Sequence, residues 1–146
     1  MPVQVNSYGK CVLDFWDFVD VEVTATGTVT ITVKAGDIVE QVIAKVLTAY
    51  DSATSASLIV GDGTDPDGLL VAADAKAAAG TVYGDAVAEV GAYLKDSYAT
   101  TPAVASRGLG KAYAADDTID ATITIVGATT VGKVRVYARI LRLYTD

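Results

Sequence analysis

The residues of this chain whose types and spacing could do chemistry are its carboxylates. Asp62, Asp65 and Asp67 stand within six positions, bracketed by Gly61 and Gly68. Calcium is held by several oxygens on a sharply turned loop, so the cluster is a candidate ligand set. An EF-hand needs acidic or amide ligands at alternate positions and a Glu at the twelfth. Counted from Asp62, the third position is Thr64, the fifth Pro66 and the twelfth Ala73. Asp and Gly are also the ordinary residues of tight turns, and a turn without a metal is the expectation. Asp116-Asp117 and Asp14 with Asp17 are the other carboxylate pairs. Glycoside hydrolysis needs two such groups across one bond, and nothing in their spacing places them so.

The rest of the composition narrows the chemistry further. The 146 residues contain no histidine and one cysteine, Cys11. The commonest general base and the commonest transition-metal ligand are therefore missing, as are an intrachain disulfide and a thiolate zinc site. No G-x-S-x-G elbow, P-loop or G-x-G-x-x-G fingerprint occurs. The expectation is a protein that is not an enzyme and takes no cofactor. A formal charge of −7 repels phosphate backbones and argues against nucleic acid. No apolar run approaches the roughly 20 residues of a membrane helix. The segment Met1-Pro2-Val3-Gln4-Val5-Asn6 lacks the basic region and apolar core of a signal peptide, so synthesis in a cytoplasm is expected.

The elements that must carry these residues read as strands. Ile119, Ala121, Ile123 and Ile125 alternate with polar residues, and so do Val134, Val136, Ala138 and Ile140 after a link bounded by Gly127 and Gly132. Two such runs across a short glycine-bounded link predict an antiparallel hairpin with the isoleucines inside. Val19–Ala25 and Val29–Val33 predict a second hairpin around Thr26-Gly27. Ile38 to Tyr50 is ambiguous. Val39, Val42, Ile43, Val46, Leu47 and Tyr50 fit a helical stripe, but β-branched residues and a doubly buried strand would read alike. Ser57–Val60 predicts a short strand, and Gly61–Gly68 is the densest turn cluster. Asp74–Ala79 predicts one or two helical turns ending at Gly80. Residues 1–18 are expected to be an irregular N-terminal arm ahead of a single domain, 19–146. Seven to nine short strands at turn-separated intervals make an all-β fold, an antiparallel β-sandwich of jelly-roll-like kind.

Two groups of residues are candidates for contact with a partner. Phe15, Trp16 and Phe18 hold both phenylalanines and the only tryptophan; they either pin the arm to the domain or form an exposed platform. Arg135 and Arg139 share a strand face with Tyr137, and Arg142 falls on the opposite parity, which suggests a bulge near Leu141. The arginine stripe is either a solvated face or a dock for acidic residues of a neighbour, including an identical subunit.

Three stretches carry a resemblance. They are Ala35-Gly36-Asp37 leading into Val46–Asp51, then Leu58–Asp62 with Asp65–Leu70, then Thr118–Ile123 with Gly132–Tyr137. Together they resemble small structural proteins of tailed-bacteriophage heads, of the capsid decoration or cement type. The resemblance implies a β-sandwich, which favours a strand at Ile38–Tyr50. It also implies a virion protein on the capsid surface that binds the major capsid protein and itself, as a homotrimer. A receptor- or carbohydrate-binding module of a fibre, with Trp16, Tyr98 or Tyr113 lining a groove, is the alternative, as is a head–tail or tail subunit.

Overall fold

The structure, a computed structural model, describes residues 3–5, 11–95 and 110–143. Ten strands are described: β1 Val3–Val5, β2 Cys11–Val21, β3 Gly27–Val33, β4 Ile38–Thr48, β5 Ser55–Gly61, β6 Leu70–Asp74, β7 Val82–Tyr83, β8 Lys111–Ala112, β9 Asp117–Val126 and β10 Lys133–Leu143. Helix among the described residues is limited to two single 3₁₀ turns, Val87–Glu89 and Ala92–Leu94. The strands form two antiparallel sheets. A six-stranded sheet runs β1-β2-β10-β4-β7, with β8 also on β4, and a four-stranded sheet runs β3-β9-β5-β6. Read without β1 and β8, the orders β2-β10-β4-β7 and β3-β9-β5-β6 are those of a jelly roll. The all-β sandwich expected from the sequence is the fold observed.

The core is what the alternation selects. Ile119, Ala121 and Ile123 of β9 and Val134, Val136, Ala138 and Ile140 of β10 are buried, and so are Leu58 and Val60 of β5. Ile125 is only partly buried. Facing strands of the two sheets supply small and β-branched side chains that fill the space between them.

The pairing differs from the hairpins expected. β9 pairs with β3 and β5, whereas β10 pairs with β2 and β4. The Ile119–Ile125 and Val134–Ile140 strands thus face each other across the core instead of sharing hydrogen bonds. Their link, Gly127–Gly132, is a crossover held by the loop between β4 and β5. The Asp51 carboxylate accepts from the backbone amides of Thr130 and Val131 at 2.8 and 3.1 Å, and the amide of Ala53 donates to the Ala128 carbonyl. The second expected hairpin fails in the same way, since β2 and β3 lie in different sheets. Alternation reports which face is buried but not which strand is adjacent.

Three further expectations change. Residues 11–18 are part of the 11-residue strand β2, so the boundary set at residue 18 falls inside a strand, and the aromatics read as an arm belong to a sheet. Asp74 ends β6, and turns rather than helix follow it to Gly80. Ile38–Tyr50 is a strand up to Thr48, and its helical look has a cause. The register with β10 skips between Arg139 and Ile140 and again between Lys133 and Val134. Glu40 and Leu47 are the extra residues of two bulges, so buried Val39 and Val42 are spaced by three.

No bulge is needed at Leu141. Arg142 continues the inward parity of β10, and its guanidinium makes two hydrogen bonds of 2.8 and 2.7 Å to Asp37. Asp37 is fully buried and also accepts from the Lys34 amide at 2.8 Å. Arg142 further lies over the Phe15 ring, 5.1 Å from its centroid. Removing one partner of a buried pair leaves an uncompensated charge. Arg142→Met is expected to lower stability by about 3 kcal/mol, seen as a fall in Tm of about 10 °C for a domain of this size. An unchanged Tm by calorimetry would mean that Asp37 is satisfied without Arg142.

Candidate functional site

The aromatic and arginine candidates meet on the outer face of the six-stranded sheet. Antiparallel register sets residues opposite one another in rows across β2, β10 and β4. Phe18, Tyr137 and Ile43 form one row, Trp16, Arg139 and Gln41 the next, and Asp20, Arg135 and Lys45 a third. Because strand side chains alternate, these rows point away from the core. Trp16 and Phe18 are half exposed, at 50% and 51%. Phe18 and Tyr137 lie 6.1 Å apart between ring centroids at 48°, and the Arg135 guanidinium lies over the Phe18 ring at 4.4 Å. Phe15 has the opposite parity. It is turned inward and packs against the core, so the structure brings together Trp16, Phe18, Arg135 and Arg139 without it.

Both arginines already have acidic partners within the chain. Arg135 forms a fork with Asp20 at 2.7 and 2.9 Å, and Arg139 forms one with Asp14 at 3.0 and 2.6 Å. Glu40 adds a contact of 3.4 Å to Arg139, and Lys133 bridges Asp20 and Glu22. The hydrogen bonds from Arg139 and Arg135 hold Asp14 and Asp20 below the ordinary carboxylate range. The sequence shows Asp14, Trp16, Phe18 and Asp20 on one parity, but nothing local in it says that β10 lies alongside. That is why these two pairs were not foreseen.

The Asp62 cluster has a different role. Asp62 is buried, and one carboxylate oxygen accepts from the amides of Thr64 and Asp65, both at 2.9 Å, and from the Tyr93 hydroxyl at 3.1 Å. The other accepts from the Tyr113 hydroxyl at 3.2 Å. Burial works against its charge, but the amides of Asp65 and Thr64 and the two hydroxyls outweigh it and hold the group below the usual range. Burial and the nearby Asp62 push Tyr93 up to about 12 and Tyr113 higher. Gly61 has no room for a side chain, since a Cβ there would strike the backbone of Asp65 and Pro66. The carboxylate is the plug of a turn. Asp65 is raised by its hydrogen bond with Asp67, and among the described residues no group of three or more His, Cys, Asp or Glu could hold a metal ion.

A shallow groove of about 530 Å³ beside β5 and β6 is lined by Thr54, Ser57, Asp74 and Lys76, among others. Its charged groups are turned onto the chain itself: Lys76 Nζ donates to the Ser52 carbonyl at 2.6 Å, and Asp74 accepts from the Lys76 amide. Of the aromatics proposed for a sugar groove, Tyr113 is buried on Asp62 and Tyr98 lies outside the described residues.

Comparison with known proteins bears on the fold. No protein-family model matches the chain, and no curated protein matches it. Its structure is similar to that of a chain in the cyanophage Pam1 capsid asymmetric unit, with a TM-score of 0.53 and 18% identity. The superposition covers 97% of this chain and 91% of that one. At that identity the likeness is one of fold, and it extends over nearly the whole of both chains.

The acid side of the stability profile follows from these carboxylates. Folded pKa values below the unfolded value of about 3.9 give stability that is present above that pH and lost as pH falls through the folded values. Tm is expected to be flat from neutral pH to about pH 5 and to fall below about pH 4. Asp62→Asn keeps an acceptor for the turn amides but removes the titration, so its acid fall is expected to be shallower. Asp62→Ala is expected to lower Tm throughout, by an amount matching about 3 kcal/mol of lost charged hydrogen bonds. An acid limb of equal slope in wild type and Asp62→Asn would remove Asp62 from the account.

Proposed function

We propose that this chain is a structural protein of a bacteriophage virion and has no catalytic role. Within that class we assign it to capsid decoration: it binds the major capsid protein on the outside of the head and cements joints between capsid subunits. The observation that carries this reading is the jelly-roll likeness to a chain of a cyanophage capsid asymmetric unit over almost its whole length. The charged groups support it, because Arg135 and Arg139 of the outer face are engaged by Asp20 and Asp14, and Asp62 by the amides of its own turn and two tyrosine hydroxyls. A cement protein needs only a standard interface of about 1,600 Å² at each joint, repeated over many copies.

Trp16, Phe18, Arg135 and Arg139 share one face and therefore serve one partner. Aromatic and arginine side chains are the usual anchors of protein interfaces. Self-association into a closed homo-oligomer belongs to this reading, and its trimeric count rests on the resemblance in the sequence.

The test is to mix the purified protein with expanded heads of the matching phage. Saturable binding and higher resistance of the heads to heat or shear are expected. Absence of head binding together with specific retention on host cells or glycans would transfer the protein to the receptor-binding class. That outcome would give the exposed Trp16 and Phe18 a sugar-stacking role.

A further inference from the structure

We infer that the outer face of the six-stranded sheet is covered by a second copy of this chain, packed back to back across a two-fold axis. The first ground is charge. The charged residues that β2, β10 and β4 and their ends place on this face are Asp14, Asp20, Glu22 and Glu40 against Lys45, Lys133, Arg135 and Arg139. Four negative and four positive charges cancel, while the whole chain carries −7. The net negative charge therefore lies elsewhere, and this is a face on which two identical acidic chains meet without net repulsion.

The second ground is the order of the rows. β2 presents Asp14, Trp16, Phe18 and Asp20, while β10 presents Arg139, Tyr137 and Arg135 alongside. A two-fold axis running along the strands, above the seam between β2 and β10, sets β2 of one copy over β10 of the other at the same level. Asp20 then faces Arg135 of the second copy, Phe18 faces Tyr137 of the second copy, and Trp16 faces Arg139 of the second copy. Each is an attractive pairing of charge, ring on ring, or cation on ring. An arrangement that stacked β2 on β2 would instead oppose like carboxylates. A surface complementary to itself in this way makes an isologous, closed contact. Sheets packed face to face sit about 10 Å apart, a gap that the two large aromatics span.

This contact deepens the self-association in the virion reading but does not depend on it, because pairing and head binding are scored separately. Light scattering of the purified full chain is expected to give two copies or an even multiple, such as two trimers joined face to face. A monomer or a single trimer would overturn the inference. Trp16 is the only tryptophan, so its fluorescence reports this face alone. Iodide is expected to quench it weakly in the wild type and strongly in Phe18→Asp, whose mass should fall to half. Thr32→Asp, on the outer face of the other sheet, makes the same change in charge and is expected to leave mass and quenching unchanged. Should Phe18→Asp lose its circular-dichroism signature of folded β-structure, Phe18→Ser is read in its place. Equal quenching in wild type and variant, or equal mass, would overturn the pairing even where head binding holds.

Discussion

One carboxylate closes the turn from which the rest of the roll extends. Asp62 gathers two backbone amides of its own turn and two tyrosine hydroxyls from segments 31 and 51 residues away. A buried charge without such donors would cost several kcal/mol; with them it fixes the β5–β6 turn and anchors the Tyr93 and Tyr113 segments to it. The strand pairs then nest outward around that turn. β5 pairs with β6, β4 with β7, β3 with β9 and β2 with β10. The metal-like spacing of Asp62, Asp65 and Asp67 is thus the signature of a turn that buries one carboxylate at its base, with Gly61 where the backbone comes too close for a side chain.

Much of the architecture was legible in the sequence because period-two alternation is a local property. Ile119, Ala121 and Ile123, and Val134, Val136, Ala138 and Ile140, are inside as their spacing says. Strand adjacency is not local, and this is where the hairpins went astray. A glycine-bounded link such as Gly127–Gly132 serves a tight hairpin or a crossover between sheets equally well, and the group that clasps it here, Asp51, lies 79 residues away in sequence. The helical look of Ile38–Tyr50 has the same origin, since bulges at Glu40 and Leu47 shift the buried positions by one. Arg142 looks out of phase only if a charged residue must face outward. It is in phase, and its charge is met inside by Asp37.

The candidate face was half legible. Aromatic and arginine anchors were visible as residue types, and Arg135, Tyr137 and Arg139 were placed on one face by parity. Their neighbours were not visible, because β2 and β10 are joined only through the long-range order of the roll. Once joined, the arginines spend their charge on Asp14 and Asp20, and what remains is a neutral, aromatic-centred surface on an acidic domain. Its character is set by pairing between strands rather than by either strand alone.

The nesting also dictates an order of assembly. Arg135 and Asp20 are bonded across 115 residues of chain, so the β2–β10 seam cannot form until nearly everything between has been laid down. Closing loops of that size is entropically costly and slow, whereas the β5–β6 turn needs only its own few residues. Emerging from a ribosome, the chain would zip from the middle outward. Beyond its short pairing with β1, β2 would wait without a partner, with its tryptophan and phenylalanine bare, until β10 arrived. The surface that ends up in the finished molecule as a face of balanced charge is therefore also the last to be completed, and it is exposed to wrong neighbours for longest during synthesis.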